Sequence, residues 1–173
     1  IDRDGTIIAE PPVTFQVDRP EQIEFLRGAI RNLHFIKSKL DFELVMVTNQ
    51  DGLGTEVYPQ ENFDLIQKIM LGVLDAEDVK FDNIFVDKSF PEDNLPTRKP
   101  GTAMLTSFFS DEYDLAGSYV IGDRITDIEL AKNLGCKAIY IANNHSEVVP
   151  ANLQPYCSLQ TPEWDKIAEF LFA

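Results

Sequence analysis

Glu43-Leu44-Val45-Met46-Val47-Thr48 is a short apolar run that is followed directly by the loop-forming residues 49–54, Asn-Gln-Asp-Gly-Leu-Gly. A run of this length that is rich in Val predicts a β-strand buried on both faces. The preceding residues 30–40 carry apolar side chains at the spacing of one helix face. A helix followed by a strand that is buried on both faces is typical of a parallel α/β sheet.

The same alternation of helix and strand continues along the rest of the chain. Apolar runs predict further strands, and amphipathic stretches or capping signals predict helices. The predicted strands are 83–87, 118–122 and 138–141, and the predicted helices are 60–75, 102–109, 126–134 (capped by Thr126) and one that opens at Thr161-Pro162-Glu163. This order predicts an α/β fold with a doubly wound parallel sheet and helices on both faces. The ligand site of such a sheet lies at the carboxyl ends of its strands.

Length and composition limit the class of protein. The chain has 173 residues, and we expect residues 1–173 to form a single domain. Ile1 is interpreted as the last residue of an apolar strand whose earlier part is absent. The formal charge is 15 − 29 = −14 at pH 7, which argues against partners such as nucleic acid or an anionic membrane. No apolar run approaches the ~18 residues of a membrane-spanning helix.

The few cysteines and histidines point to no further site. Cys136 and Cys157 form no disulfide framework, and Cys157 is predicted in a polar loop. Free thiols of this kind indicate a cytoplasmic location. His34 and His145 are expected to be ordinary surface or boundary residues.

Polar clusters stand at three predicted strand ends and at one helix start. They are Asp2-Arg3-Asp4-Gly5-Thr6, Thr48-Asn49, Gly122-Asp123-Arg124-Ile125-Thr126-Asp127 and Arg98-Lys99-Pro100. Each cluster alone is common in turns or on solvated surfaces. All four fall where a doubly wound sheet places its ligand. Together they offer carboxylates for a metal ion, a hydroxyl and an amide for phosphate, and a lysine that offsets negative charge.

This set of clusters closely resembles the four motifs of the haloacid dehalogenase superfamily of phosphotransferases, from Ile1 to about Ile141. Two longer strings are more specific than the short motifs. They are Glu10-Pro11-Pro12 with Phe15-Gln16-Val17-Asp18, and residues 45–55, Val-Met-Val-Thr-Asn-Gln-Asp-Gly-Leu-Gly-Thr. Both resemble the histidinol-phosphate phosphatase branch, whereas the sister branch that acts on heptose bisphosphate usually differs after Thr-Asn-Gln.

The resemblance implies a nucleophile and an acid–base residue in the first motif. Asp2 would attack phosphorus and become an aspartyl phosphate. Asp4 would protonate the leaving alkoxide and then accept a proton from the attacking water. Two carboxylates this close repel each other, and a divalent cation relieves that repulsion. Mg²⁺ suits an all-oxygen site, and its implied protein ligands are Asp2, the main-chain carbonyl of Asp4, and Asp123.

The other motifs imply contacts to the phosphate group and support for the metal. Thr48 and the Asn49 amide would bind phosphate oxygens, and Lys99 would offset their charge. Asp127 would hold either a metal-bound water or Lys99 from outside the ligand set. Arg98, directly before Lys99, is a further candidate for binding an anionic group.

One segment departs from the pattern of the branch. Its zinc-carrying members have a Cys-x-His and a later Cys-x-Cys before Arg-Lys-Pro, whereas residues 85–97 contain neither Cys nor His. Structural zinc needs about four N or S ligands, so no structural zinc is expected. Loop 88–97 should then be held by its prolines and by packing of Phe90 and Leu95, or be more mobile.

Space for a lid is limited. The segment between Thr48 and Lys99 has room only for a helix, a strand and loops, so no large cap domain is expected. Loops 7–20 and 88–97 are the only segments expected to cover the site. A fairly open site suits a small substrate or one whose own body covers the pocket.

The favoured function is Mg²⁺-dependent hydrolysis of L-histidinol phosphate in histidine biosynthesis. That substrate is cationic away from its phosphate. Glu10 and Asp51 are candidates for contacting the cation, although either could be a solvated loop acid. Arg98 instead favours a second anionic group, as in a sugar phosphate such as heptose bisphosphate.

Two readings that are not enzymatic stay open. A receiver-like phosphoacceptor domain also uses Asp, Thr and Lys on a doubly wound sheet, but its acidic pair lacks the Asp-x-Asp-Gly-Thr form of residues 2–6. A non-catalytic module is disfavoured by the intact motif set. The histidinol-phosphate branch often carries a dehydratase domain after the phosphatase, so a fusion to such a C-terminal domain in the full-length protein is also an open alternative.

Overall fold

The computed structural model describes residues 1–143 and 146–173, so that the prediction for His145 lies outside the described residues. Strands and helices alternate along this part of the chain. The strands are β1 (Val45–Asn49), β2 (Asn83–Asp87), β3 (Tyr119–Gly122), β4 (Lys137–Ile141) and β5 (Cys157–Thr161). The α-helices are α1 (Ala29–Lys39), α2 (Gln60–Ala76), α3 (Ile125–Leu134) and α4 (Trp164–Leu171). Short 3₁₀ helices cover Pro20–Gln22, Pro91–Asp93, Ala103–Phe109 and Gln154–Tyr156.

The strands are parallel, and residues 1 and 2 join them into one sheet. β1 pairs with β2, and β4 pairs with both β3 and β5. The Ile1 amino group donates to the Val45 carbonyl at 2.7 Å, and the Val47 N–H donates to the Ile1 carbonyl at 2.9 Å. On the other side, the Asp2 N–H donates to the Ile121 carbonyl at 2.9 Å. Asp2 therefore lies in the middle of the sheet, between β1 and β3.

Side chains that alternate along the strands pack against helices on both faces of the sheet. Met46, Ile121 and Ile139 face a core that is completed by α1, α2 and α4. Their sequence neighbours point the other way, into a second core that includes α3 and the 3₁₀ helix Ala103–Phe109. Because successive strand residues point to opposite faces, this alternation confirms the doubly wound parallel sheet.

Two predicted helix starts were wrong. α3 begins at Ile125 with Arg124, not Thr126, as its N-cap residue, and the Asp127 carboxylate accepts the Arg124 N–H at 3.0 Å. α4 begins at Trp164, because Thr161 still belongs to β5. The α3 start differs by one residue and rests on the local contact between Asp127 and Arg124, whereas the α4 start is displaced because Thr161 pairs in the sheet.

Two other elements differ from the sequence prediction. Residues 103–109 form a 3₁₀ helix that is broken at Leu105, not a regular helix. Residues 157–161 form the edge strand β5, although the sequence suggested a polar loop. An edge strand that is half exposed needs no continuous apolar run. The polar sequence of β5 therefore did not indicate a strand.

The connection between β1 and Lys99 consists of α2, β2 and their loops, as expected for a fold without a large cap domain. Within residues 1–143 and 146–173, no helix combines the length and apolar character needed to cross a membrane.

Candidate active site

A cavity of about 750 Å³ opens at the carboxyl ends of the strands. Residues from all four polar clusters, which are separated by up to 124 positions in sequence, line it together. The predicted site residues in its wall are Asp2, Asp4, Glu10, Thr48, Asn49, Arg98 and Lys99. The topology thus places these candidates in one wall, as expected for a doubly wound sheet.

The first motif turns sharply after Asp4, and Gly5 makes that turn possible. Gly5 has φ +69°, and a Cβ atom there would lie 2.1 Å from Asp123 Oδ2. Any larger residue would therefore be strained in its backbone and would collide with a carboxylate. The Trp164 indole N–H donates to the Thr6 carbonyl at 2.9 Å and ties this turn to α4. These contacts bring Asp123 against the loop that carries Asp2 and Asp4.

Three buried carboxylates form a compact cluster. One oxygen atom from each of Asp2, Asp123 and Asp127 lies within 4.8 Å of the other two. Asp127 Oδ1 accepts a hydrogen bond from Lys99 Nζ at 2.8 Å, and Asp127 Oδ2 accepts one from the Arg124 N–H at 3.0 Å. Both oxygens of Asp127 are thus engaged by the protein, which places this residue beside Lys99 and leaves Asp2 and Asp123 as the better cation ligands.

The two carboxylate oxygens of Asp123 differ in their hydrogen bonding. Its Oδ2 accepts the Asn143 amide at 3.0 Å, whereas its buried Oδ1 has no hydrogen-bond partner among the described residues. Burial and then the charges of Asp2 and Glu10 raise the pKa of Asp123 to about 8. A nearby cation would reverse this shift. An all-oxygen donor set with one unpartnered carboxylate oxygen fits Mg²⁺.

Both the side chain and the main chain of Lys99 are bound by other residues. Its Nζ lies 2.8 Å from Asp2 Oδ1 and 2.8 Å from Asp127 Oδ1. Its main-chain N–H donates to Asn49 Oδ1 at 3.0 Å, and Asn49 Nδ2 donates back to the Lys99 carbonyl at 3.3 Å. Burial opposes the charged ammonium, but the carboxylates of Asp127 and Asp2 outweigh it and raise the pKa of Lys99. A permanent positive charge therefore lies against Asp2.

The Asp4 carboxylate is oriented by two residues that the sequence analysis missed. Arg3 Nε donates to both Asp4 oxygens, at 3.1 and 3.0 Å. Gln50 Nε2 donates to Asp4 Oδ2 at 2.6 Å and to Thr48 Oγ1 at 2.7 Å. Arg3 is fully buried, with its guanidinium 4.9 Å from the centre of the Phe63 ring. The adjacency of Gln50 to Thr48-Asn49 was the one available sequence signal, because Arg3 gave no sign of facing inward.

The two candidate acids at the rim are both paired with arginines. Glu10 Oε2 lies 2.5 Å from Arg124 Nη2, and Asp51 Oδ1 lies 2.7 Å from Arg98 Nη1. Burial raises the pKa of Glu10 to about 7, although Arg124 opposes the shift. Arg124, a pocket residue whose role the sequence analysis did not predict, therefore pairs with the Glu10 carboxylate and favours its charged form.

Loop 88–97 is held only in part by the expected contacts. The Phe90 ring does pack against Gly52, since a Cβ atom at Gly52 would lie 2.5 Å from it. Leu95, the other expected anchor, is 48% exposed. The two ends of the loop are instead bound to the buried carboxylate of Asp87, through Ser89 and Thr97. Polar contacts, more than apolar packing, hold this loop.

Comparison with known proteins identifies a family model and relatives that match this chain. Residues 96–156 match the HAD-hydrolase-like family model. The chain is 56% identical to the histidine biosynthesis bifunctional protein HisB of Bacteroides fragilis over 174 residues, which is all of this chain and 46% of that protein. It is 45% identical to HisB of Spirosoma linguale, over 99% of this chain and 47% of that protein. The chain thus spans about half the length of these curated relatives.

The fold is shared with the solved structures of a phosphatase and of another hydrolase. The D,D-heptose 1,7-bisphosphate phosphatase from B. bronchiseptica, solved with magnesium and phosphate, superimposes with a TM-score of 0.84 at 24% identity, over 99% of this chain and 95% of that one. A HAD-superfamily hydrolase from Ehrlichia chaffeensis superimposes with a TM-score of 0.57 at 19% identity, over 91% and 63% of the two chains. With its four motifs gathered at one sheet edge and its alignment to HisB proteins from end to end, this chain belongs to the haloacid dehalogenase-like family.

Proposed function

We propose that this chain is a Mg²⁺-dependent phosphomonoesterase that converts L-histidinol phosphate to L-histidinol and phosphate in histidine biosynthesis. The observation that carries the proposal is that the Lys99 ammonium lies against the Asp2 carboxylate. Asp4 follows two residues later, and Gln50 links it to Thr48 by donating a hydrogen bond to each of them. The names of the HisB relatives support the pathway. Phosphoryl transfer depends mostly on positioning and charge neutralisation, and this arrangement supplies both.

Asp2 acts as the nucleophile in this proposal. Its Oδ1 accepts the Arg3 N–H at 2.8 Å and lies 2.8 Å from Lys99 Nζ, so the carboxylate has a defined orientation before substrate binds. One Asp2 oxygen attacks phosphorus, the ester oxygen leaves, and an aspartyl phosphate forms. Asp4 donates a proton to the leaving alkoxide and later accepts one from the water that hydrolyses the acyl phosphate.

Thr48 and Asn49 bind the phosphate oxygens. Thr48 Oγ1 already accepts a hydrogen bond from Gln50, so its own proton is available to a phosphate oxygen. Asn49 Nδ2 uses one hydrogen for the Lys99 carbonyl and has a second for phosphate. The ammonium of Lys99 offsets the charge that these oxygens carry.

A divalent cation would be held by Asp2, the Asp4 main-chain carbonyl and Asp123, with Asp127 supporting Lys99 from outside that set. When bound, the cation neutralises charge on the phosphoryl oxygens. We further propose that residues 1–173 form one domain, that the full-length protein carries a second, dehydratase domain, and that the protein acts in the cytoplasm without nucleic acid or membrane partners.

A panel of phosphate esters assayed with Mg²⁺ and with EDTA tests the proposed function. We expect release of inorganic phosphate from L-histidinol phosphate, loss of release in EDTA, and recovery when Mg²⁺ is added back. Sugar monophosphates and a heptose bisphosphate should give lower kcat/KM. Preference for the bisphosphate would favour the alternative substrate class, and no turnover of any ester would favour a phosphoacceptor domain.

Glu10→Gln should change the choice of substrate. Loss of the carboxylate leaves Arg124 without its partner at 2.5 Å, so the rim gains positive charge. We expect kcat/KM for L-histidinol phosphate to fall about 3- to 10-fold relative to that for sugar phosphates, the size typical of a partly exposed charge. The exposed Glu56→Gln serves as the matched control and should leave the ratio unchanged. An unaltered ratio in Glu10→Gln would rule out recognition of the cation through this pair.

The purified protein should contain no stoichiometric structural zinc. The reason is chemical: residues 85–97 hold no Cys or His, and a structural zinc site needs about four N or S ligands. Elemental analysis of protein purified without chelators is the measurement. One zinc per chain that survives dialysis would contradict the prediction.

A further inference from the structure

Loop 88–97 is closed by a single buried carboxylate at the end of β2. Asp87 is 4% exposed. Its Oδ1 accepts the Ser89 N–H at 2.9 Å and also the Ser89 hydroxyl. Its Oδ2 accepts the Thr97 hydroxyl at 2.5 Å. The two oxygens of one side chain therefore bind residues at opposite ends of the loop.

These contacts keep Asp87 ionised. Burial alone would raise the pKa of the carboxyl, but the hydrogen bonds from Ser89 and Thr97 outweigh burial and lower it. An anion that receives three protein hydrogen bonds resists replacement by a neutral group, because an amide at this position would turn a donor toward Ser89 or Thr97. Asp87 also stays fixed through its main chain, since its carbonyl accepts the Gln50 N–H at 2.7 Å.

The closed loop holds Arg98 at the cavity. Arg98 Nη1 donates to the Ser89 carbonyl at 2.6 Å and to Asp51 Oδ1 at 2.7 Å. Thr97, the residue before Arg98, is the second contact of Asp87. The guanidinium is consequently supported from both ends of the loop. Lys99 does not depend on the loop in this way, because Asn49, Asp2 and Asp127 bind it directly.

We propose that Asp87 is a positioning residue that closes loop 88–97 and thereby holds the Arg98 guanidinium toward the substrate. In its catalytic part the proposal rests on the proposed function, with Arg98 contacting the phosphorylated substrate. The loop sets substrate binding, whereas the chemical step depends on Asp2, Asp4 and Lys99, which other elements hold. Asp87→Asn should therefore raise KM and leave kcat nearly unchanged.

Amide hydrogen exchange tests the closure without any assay of activity. In Asp87→Asn we expect exchange within residues 88–98 to accelerate about 10-fold or more, as for loss of a hydrogen bond to a charged group, while exchange in β1 and α2 stays as in the wild type. Asp93→Asn is the matched control, because it makes the same change in the same loop at an exposed side chain whose Oδ2 accepts only the Phe90 N–H among the described contacts. Unchanged exchange in Asp87→Asn would overturn the proposal.

Kinetics of a double-variant cycle test the path through Arg98. We expect Asp87→Asn to raise KM about 5- to 10-fold with kcat within about twofold, and to add nothing to the KM of Arg98→Ala, since two residues that act through one contact are not additive. If the two substitutions raised KM by the product of their separate factors, Asp87 would not act through Arg98. A fall in kcat with KM unchanged in Asp87→Asn would also overturn the proposal.

Thr97→Val covers the case in which Asp87→Asn does not fold. It removes one of the three hydrogen bonds at nearly constant shape, and it should shift exchange and KM in the same direction by a smaller factor; no shift would count against the closure. If the wild type hydrolyses no ester, the proposed function fails, and the exchange comparison still decides whether Asp87 closes the loop.

Discussion

Asp2→Asn is expected to abolish phosphate release while the protein stays folded. An amide oxygen is a far weaker nucleophile than a carboxylate and forms no stable acyl phosphate, so the loss should be at least about 10⁴-fold in kcat, as when other enzymes lose a nucleophile. The Asn side chain keeps the shape of Asp2, and its oxygen can still accept the Arg3 N–H and Lys99 Nζ, which contact Oδ1 in the wild type.

Three measurements separate loss of the nucleophile from loss of the fold. Circular dichroism and the thermal midpoint should stay close to the wild type, and trapping of labelled phosphate on the protein should disappear along with turnover. Asp111→Asn makes the same chemical change at an exposed aspartate and should keep full activity. Near-normal turnover by Asp2→Asn would mean that Asp2 is not the nucleophile and that the proposed mechanism is wrong.

Asp4→Asn is expected to slow turnover by roughly 10²- to 10⁴-fold, the usual contribution of general acid–base catalysis. The physical reason is that an amide neither protonates the departing alkoxide nor accepts a proton from water. The loss should shrink for an ester of nitrophenol, because that leaving group departs without protonation. An equal loss for every leaving group would argue that Asp4 does not act as the acid.

The same variant has a structural cost that the assay must take into account. Arg3 is fully buried and donates to both Asp4 oxygens, so a neutral side chain leaves its charge poorly compensated. Removing one partner of a buried pair costs about 3–5 kcal/mol, and Asn, which keeps one acceptor oxygen, should cost less. We expect a lower thermal midpoint, so activity is to be compared well below it. Gln50→Glu would be a poor control, because a second carboxylate would face Asp4.

Much of the architecture could be predicted because it depends on local patterns. The apolar runs at 43–48, 118–122 and 138–141 lie within a residue or two of β1, β3 and β4. Parallel order follows from alternation with helices. The edge strand β5 was missed, and the start of α4 was misplaced, because Thr161 pairs with Ile141 of β4 and its own sequence does not show this.

The sequence by itself determined the kinds of chemical group in the site and the strand ends that carry them. Carboxylates at Asp2, Asp4 and Asp123, the hydroxyl of Thr48 and the ammonium of Lys99 could be proposed as site groups from motifs alone, because strand ends of a doubly wound sheet meet at one edge. Only the tertiary structure decided how these groups are paired. It turned Arg3 inward onto Asp4, placed Arg124 against Glu10, and left one oxygen of Asp123 without a partner among residues 1–143 and 146–173. Such pairings join residues up to 114 positions apart, and they depend on distances of a few ångströms between elements, which no local pattern in the chain encodes.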